Sequence, residues 1–404
     1  MAGMTASGVR VLRGCVVTPD QLLADGAVVI EGRGIAWVGV ADDVPDRWRE
    51  AVATAAATAE RYLLPGLVDL HCHGGGGVSF PDATDAATAR TAVLEHLRHG
   101  TTSLVASLVT AEPEVLRQRT AMLAELATAG EIAGIHFEGP FISADRCGAQ
   151  NPAAIRQPDA SLTAELLQLA AGHGVTMTLA PEAPGAADVV QALVAGGALP
   201  SFGHTVATAE QTRVAVTEAD EMLAAHPAAR SRRATVTHLF NGMNPMHHRD
   251  PGPVPEVLAA ARHGRLALEL IADGTHVDTG LVRSIVELVG RENVVLVTDA
   301  MAAAGMPDGE YQLGSLAVTV ADGVARLTEG GSIAGGTAHL IDVVRTCVAG
   351  GIGLVDAVYM AATGPATVLG DDGVGALVAG RRADVVVTDH DLQPLEIVRE
   401  GVTV

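Results

Sequence analysis

His71 and His73 stand two apart at the end of an apolar run, and Glu138, His204, His238 and Asp299 each close a short apolar segment just before a break. Residues i and i+2 of a strand face the same side, so both imidazoles of the first pair can reach one ion. Imidazole nitrogens and carboxylate oxygens are donors suited to Zn, Fe, Mn or Co. Taken singly, each residue has a plainer reading. A strand-end histidine is ordinarily a satisfied structural residue, and a strand-end carboxylate caps the following helix. Taken together they do not, because burying unpaired charges and imidazoles is costly unless a cation compensates. A set of this kind supports metal-dependent hydrolysis, in which a divalent ion makes water nucleophilic at neutral pH.

These groups need a scaffold that brings them to one place. From Gly66 to about Ala366, short apolar runs alternate with Ala/Leu/Glu/Arg-rich stretches, the pattern of repeated βα units. Strands are expected at Leu67–His71, Thr102–Leu108, Ile132–Glu138, Val175–Ala180, Ser201–His204, Thr235–Phe240, Leu266–Ala272 and Val294–Asp299. Helices are expected at Ala86–His99, Glu114–Ala129 and Thr163–His173. That count predicts an α/β fold, a (β/α)8 TIM barrel, whose active-site groups gather at the C-terminal ends of the strands. The segments Val9 to Thr18, Gly26 to Val40, Asp384 to Thr388 and Ile397 to Val404 read as strands outside this pattern. They predict a small β-sandwich domain built from both termini, residues 1–63 and 368–404, flanking a catalytic barrel of residues 64–367.

The other histidines carry less. His96, His99, His173, His226, His263 and His390 fall in helix-like or turn contexts and read as surface or packing residues. His136 shares a strand face with Glu138, and packing is its favoured role. Cys72, between two candidate ligands, points to the opposite face and into the core. Gly74 to Gly77 lacks the Lys-Ser/Thr of a phosphate-binding loop and reads as a flexible βα loop.

Composition narrows the partners. The 404 residues carry a net charge of −21, which argues against a nucleic acid or an anionic membrane as partner. A small anionic substrate in a local basic pocket remains compatible. No apolar stretch reaches membrane-spanning length. The four cysteines show no CxxC pairing, and no basic-then-apolar leader opens the chain, so a reducing, cytoplasmic location is expected.

At these residues the sequence resembles the amidohydrolase superfamily, and within it the family of amino-sugar-phosphate deacetylases. The matching stretches are Leu64-Pro-Gly-Leu-Val-Asp-Leu-His-Cys-His73, His136-Phe-Glu-Gly-Pro-Phe-Ile142, Gly203-His-Thr205, Thr237-His-Leu-Phe-Asn-Gly-Met243, Ala272-Asp-Gly-Thr-His276 and Val297-Thr-Asp-Ala-Met301. The first marks only the superfamily; the second, fourth and fifth are specific to the deacetylases. The resemblance implies hydrolysis of the acetamide of N-acetylglucosamine 6-phosphate by metal-activated water, with Asp299 as general acid/base. It implies that Glu138, His204 and His238 hold one divalent metal and that His71 and His73 allow a second, with zinc the first candidate and Fe, Mn or Co possible. It places His276, Asn241, Gly242 and Arg249 at substrate-binding positions, and implies a homodimer in which Arg249 reaches across the interface.

One loop departs from the family. Arg146-Cys-Gly-Ala-Gln-Asn-Pro152 stands where many members carry Lys-Gly-Ala/Thr-His-Asn/Asp-Pro. Ala149 and Gln150 therefore fall on a substrate-contacting segment, but Gln150 replaces a histidine and weakens one expected contact. Cys147 in this loop is read as an exposed thiol or, more sharply, as a redox-sensitive gate. The rivals to this reading are another amidohydrolase, a cyclic amidase or an aminohydrolase, and a catalytically silent scaffold on the same barrel. A scaffold would have lost ligands, whereas every expected ligand position here is filled.

Overall fold

The computed structural model describes residues 8–56, 60–226 and 229–404. Its centre is an eight-stranded parallel sheet in sequential order: Leu67–Cys72, Thr101–Leu108, Gly134–Glu138, Gly174–Leu179, Leu199–Phe202, Ala234–Val236, Leu266–Leu270 and Val294–Leu296. Every residue of these strands is buried, which explains their near-continuous apolar character. The eighth strand meets the first through Asp299 N–H donating to the His71 carbonyl at 2.9 Å and through a Cys72–Ala300 bridge. Asp69 reinforces that seam: its carboxylate accepts from the Thr298 hydroxyl at 2.6 Å and from the His71 backbone N–H at 3.2 Å. The expected TIM barrel is present, and its strands begin within about two residues of where the apolar runs begin.

The connecting helices start where their sequences supply caps. Asp85 accepts from Thr88 N ahead of Ala86–Arg98, Asp159 from Ser161 N and Leu162 N ahead of Ala160–Leu169, and Thr208 forms a capping box with Gln211 ahead of Ala209–Ala225. Their apolar stripes join the strands' outer faces in one large aliphatic core.

Both termini enter a single seven-stranded sheet. Val9–Val17, Leu22–Glu31 and Gly34–Val40 form an antiparallel meander, and Tyr62–Pro65 joins it to Val385–Thr388, Pro394–Arg399 and Val402–Thr403. The sheet curls until its two end hairpins touch. A Cβ on Gly401 would lie 2.1 Å from the Gly32 carbonyl oxygen, so only glycine allows that approach. Leu12, Val28, Ile30, Val385 and Val398 pack inside the curl, while Ala27, Val29 and the helix Asp46–Thr54 bury Trp48 on the opposite face. Gly66 marks the passage into the barrel: it donates to the Asp384 carbonyl, and a Cβ there would strike the Thr102 hydroxyl at 2.1 Å.

Two features were not expected. Gly309–Leu313, Leu316–Ala321 and Val324–Leu327 form a three-stranded antiparallel sheet after the eighth barrel strand, packing on Val109, Met301 and Ala149. Its signal in the sequence is Asp322-Gly323 between two alternating runs. Gly74 to Ser79 forms a short antiparallel hairpin, in which a Cβ on Gly74 would meet the Val78 carbonyl at 2.2 Å.

His96 is fully buried between the first barrel strand and its helix, with its Nε2 2.8 Å from the Gly74 carbonyl and 3.2 Å from Cys72 Sγ. Burial, together with the charge of His339 and His99 nearby, lowers its pKa from 6.5 to about 3. A depressed histidine contributes stability that is fully present above its unfolded pKa and is lost as pH falls through the window from 6.5 to about 3. Acidifying from about pH 7 to about pH 5 should therefore cost on the order of 2 kcal/mol through this group. Urea unfolding at both pH values checks this, with His96→Gln expected to flatten that part of the dependence.

Candidate metal centre

Six side chains from five barrel strands meet at the C-terminal rim. His71 is the next-to-last residue of the first strand and His73 lies one residue beyond its end; Glu138 is the last residue of the third. His204, His238 and Asp299 sit two or three residues past the fifth, sixth and eighth strands, not within them as the apolar runs suggested. The chain has already left the ladder there, and all three adopt left-handed backbone, with φ of 47°, 28° and 46°. Non-glycine residues hold such conformations at a cost of about 1–3 kcal/mol each, and they concentrate at functional sites.

Glu138 is the hub. Its Oε1 lies 2.9 Å from His204 Nε2 and 2.9 Å from His238 Nε2. Its Oε2 faces a second group, 3.0 Å from His73 Nε2 and 3.8 Å from His71 Nε2. Asp299 Oδ1 completes that group at 3.3 Å from His71 Nε2 and 3.2 Å from His73 Nε2, and the two imidazole nitrogens are 3.0 Å apart. Donors about 2.1 Å from a tetrahedral ion stand about 3.4 Å from one another. The second group has that spacing, and the first offers three donors, from Glu138, His204 and His238.

The electrostatics agree with a cation. Burial pushes the Glu138 carboxyl up, but contacts from His204, His238, His71 and His73 hold it well below the usual carboxylate range. Burial likewise opposes charge on His71, His73 and His204, yet Asp299 and Glu138 raise all three above the ordinary imidazole value. The field of the site selects positive charge. The donor chemistry and spacing therefore fit a divalent metal, although nothing in them separates Zn from Fe, Mn or Co.

A further shell of polar groups orients these donors. His204 Nδ1–H donates to the Arg146 carbonyl at 2.7 Å, turning its Nε2 inward. A Cβ on Gly242 would come within 2.8 Å of that same Nδ1, so the left-handed glycine is what lets the loop pass. His136 lies beneath the cluster, its nitrogens 3.0 Å from the Ser107 hydroxyl and 2.9 Å from that of Thr178, and Thr178, Thr237 and Ser201 continue the hydroxyl chain. Burial holds His136 well below its ordinary pKa, so it stays neutral beneath the ligands.

The remaining expected residues are distributed unevenly. His276 Nδ1 pairs with Asp273 Oδ2 at 2.8 Å, and Asp273 Oδ1 accepts from the backbone N–H of Thr275 and His276. Burial opposes the imidazolium, but Asp273 outweighs it and raises the His276 pKa. Gln150 is buried, its amide nitrogen 2.5 Å from Glu138 Oε2 and its oxygen accepting from Thr110 N at 2.7 Å. Ala149 packs against the three-stranded sheet, which Asn151 also grips through Ser315. Asn241 is half-buried and bonds back to the His238 carbonyl. Arg249 lies on an exposed loop with its guanidinium 2.9 Å from His248 Nε2, and no hydrogen bond among the described residues joins it to the six. Cys147 is half-buried beside this site.

Sequence reasoning missed two buried carboxylates here. Asp69 ties the first strand to the eighth, and Glu269 touches both His71 and the His238 backbone. Glu269 had a signal, since it interrupts an otherwise apolar strand with a charge on the inward face.

Residues 62–401 match the Amidohydrolase family, and the chain belongs to that family. A Mycobacterium smegmatis N-acetyl-D-glucosamine-6-phosphate deacetylase, solved as its D267A mutant in complex with N-acetyl-D-glucosamine-6-phosphate, superposes with a TM-score of 0.86 at 40% identity, over 97% of this chain and 98% of that one. The N-acetylglucosamine-6-phosphate deacetylase of Lysinibacillus sphaericus is 34% identical over 351 residues, 84% of this chain and 85% of the relative. The N-acetylgalactosamine-6-phosphate deacetylase of Escherichia coli O157:H7 is 34% identical over 345 residues, 84% and 86% of the two chains.

Because Glu138 serves both donor groups, Glu138→Ala should weaken divalent-metal binding at least ~100-fold. Ligand present at about 100 times its Kd stabilises a folded protein by about 2.7 kcal/mol. Thermal melts of chelator-treated protein, with and without added zinc, should show an upward shift in the wild type and none in Glu138→Ala.

Proposed function

We propose that this chain hydrolyses the acetamide of N-acetylglucosamine 6-phosphate, releasing acetate and glucosamine 6-phosphate, as a zinc-loaded cytoplasmic homodimer. The observation that carries this reading is the placement of Glu138 between two donor groups, one of which includes Asp299. In this reading Glu138, His204 and His238 would hold one ion, and His71, His73 and Asp299, with Glu138, would hold another. A divalent metal there supplies Lewis-acid polarisation and lowers the pKa of nearby water.

The chain's own residues supply the rest. Asp299, kept ionised by His71 and His73 despite burial, takes a proton from the attacking water. The water oxygen bonds to the acetyl carbon. His276, charged through its pairing with Asp273, directs its Nε2–H at the carbonyl oxygen and stabilises the negative charge that develops there. Asp299 then returns the proton to the amide nitrogen as the C–N bond breaks, so an amine leaves instead of an amide anion. Asn241 and the backbone at Gly242 line the sugar side. The exposed Arg249, next to His247 and His248, suits a phosphate bound by a guanidinium, contributed from the partner subunit.

The similarity to an N-acetylgalactosamine-6-phosphate deacetylase supports testing the C4 epimer as a second substrate. Acetate release should be fastest on an N-acetylamino-sugar 6-phosphate and much slower on the unphosphorylated sugar. Asp299→Asn should lower kcat by roughly 10²–10⁴-fold with protein still folded. Near-normal turnover in that variant would remove Asp299 from the proton path, and equal rates with and without phosphate would remove the substrate assignment.

A further inference from the structure

Glu269 takes no part in the steps above, yet it is almost fully buried at the base of the cluster. It lies on the seventh barrel strand, Leu266–Leu270, a strand that contributes none of the six donors. Its Oε2 stands 3.2 Å from His71 Nδ1 and 3.3 Å from the backbone N–H of His238. Its backbone carbonyl accepts from Leu239 N at 2.8 Å. Among the described residues, its one ion pair is with His71. A buried carboxylate with no Lys or Arg beside it needs a reason to persist.

The other three imidazoles make the contrast. His204 is oriented by a neutral backbone carbonyl, and the Nδ1 atoms of His73 and His238 are buried without a hydrogen-bond partner. Only His71 has a carboxylate behind it. An Nδ1–H donated to a carboxylate leaves the Nε2 lone pair free, fixes the ring plane and makes Nε2 a stronger donor to a metal. The same Glu269 oxygen reaches the His238 N–H, in the left-handed residue that serves the first donor group. One atom thereby braces a ligand from each group.

We infer that Glu269 is a positioning residue that locks His71 in its Nδ1–H tautomer and aims Nε2 at a divalent cation in the second donor group. This rests on the two-ion reading above. Glu269→Leu removes both the acceptor and the charge, while Glu269→Gln keeps an oxygen acceptor and removes only the charge.

The test uses the full chain with 15N-labelled histidine, zinc as the probe, and His71→Asn to identify the His71 signals. In the zinc-loaded protein, long-range 1H–15N correlations should show a His71 Nδ1–H protected from solvent exchange in the wild type and Glu269→Gln, and one that exchanges much faster in Glu269→Leu. Competition titration should show zinc bound ~10–100-fold more weakly in Glu269→Leu and ~10-fold more weakly in Glu269→Gln. A His71 Nδ1–H equally protected from exchange in Glu269→Leu, or zinc affinity unchanged in both variants, overturns the inference. If Glu269→Leu does not fold, unchanged zinc affinity in Glu269→Gln overturns it alone. A wild type that saturates with one zinc per chain refutes the two-ion reading instead, and the His71 nitrogen signals then decide the role of Glu269.

Discussion

A single carboxylate with its two oxygens turned to opposite histidine pairs governs this molecule. Glu138 sits at the end of the third strand with His204 and His238 on one side and His71 and His73 on the other, all nearly inaccessible to water. A buried anion among four imidazoles is tolerable only if positive charge is shared with it, from protons or from a metal. Everything at the rim serves that balance. Three of the donors accept unfavourable backbone angles to reach it, and a barrel with eight covered strands is rigid enough to hold them there.

Below the donors the barrel is polar in a controlled way. Ser107, His136, Thr178, Thr237 and Ser201 form a chain of neutral groups, each with a partner, across the second to sixth strands. Such a layer satisfies itself, and burial keeps His136 uncharged within it, so it does not compete with the cluster for a cation. Asp69 and Glu269 hold the seam between the eighth and first strands and the gap between the first and seventh. The loop carrying Gln150 is clamped between Thr110 and the three-stranded sheet, and Gln150 turns its amide nitrogen towards Glu138.

Much of this was legible in the order of residues. Apolar runs of strand length identified the barrel strands, and the His, Glu or Asp near the end of five of them singled out the six side chains that meet at the rim, because a parallel strand buried on both faces must be apolar until it reaches the rim. The helices expected at Ala86, Glu114 and Thr163 are present, starting at Ala86, Pro113 and Ala160. The three-stranded sheet escaped notice because short, half-exposed strands alternate weakly and share their turn residues with loops. Glu269 escaped because one charge inside an apolar run carries no information about which strand it faces.

The sequence by itself singled out six side chains, their order along the chain, and the kind of ion such groups suit, since those follow from side-chain chemistry and strand periodicity. Only the tertiary structure decided how the donors divide. Which histidines share which oxygen of Glu138, that Gln150 spends its amide on that carboxylate, and that Glu269 stands behind His71 all depend on barrel closure. Closure brings residues some two hundred positions apart to hydrogen-bonding distance, and no local pattern encodes a distance between strands that are neighbours only in space.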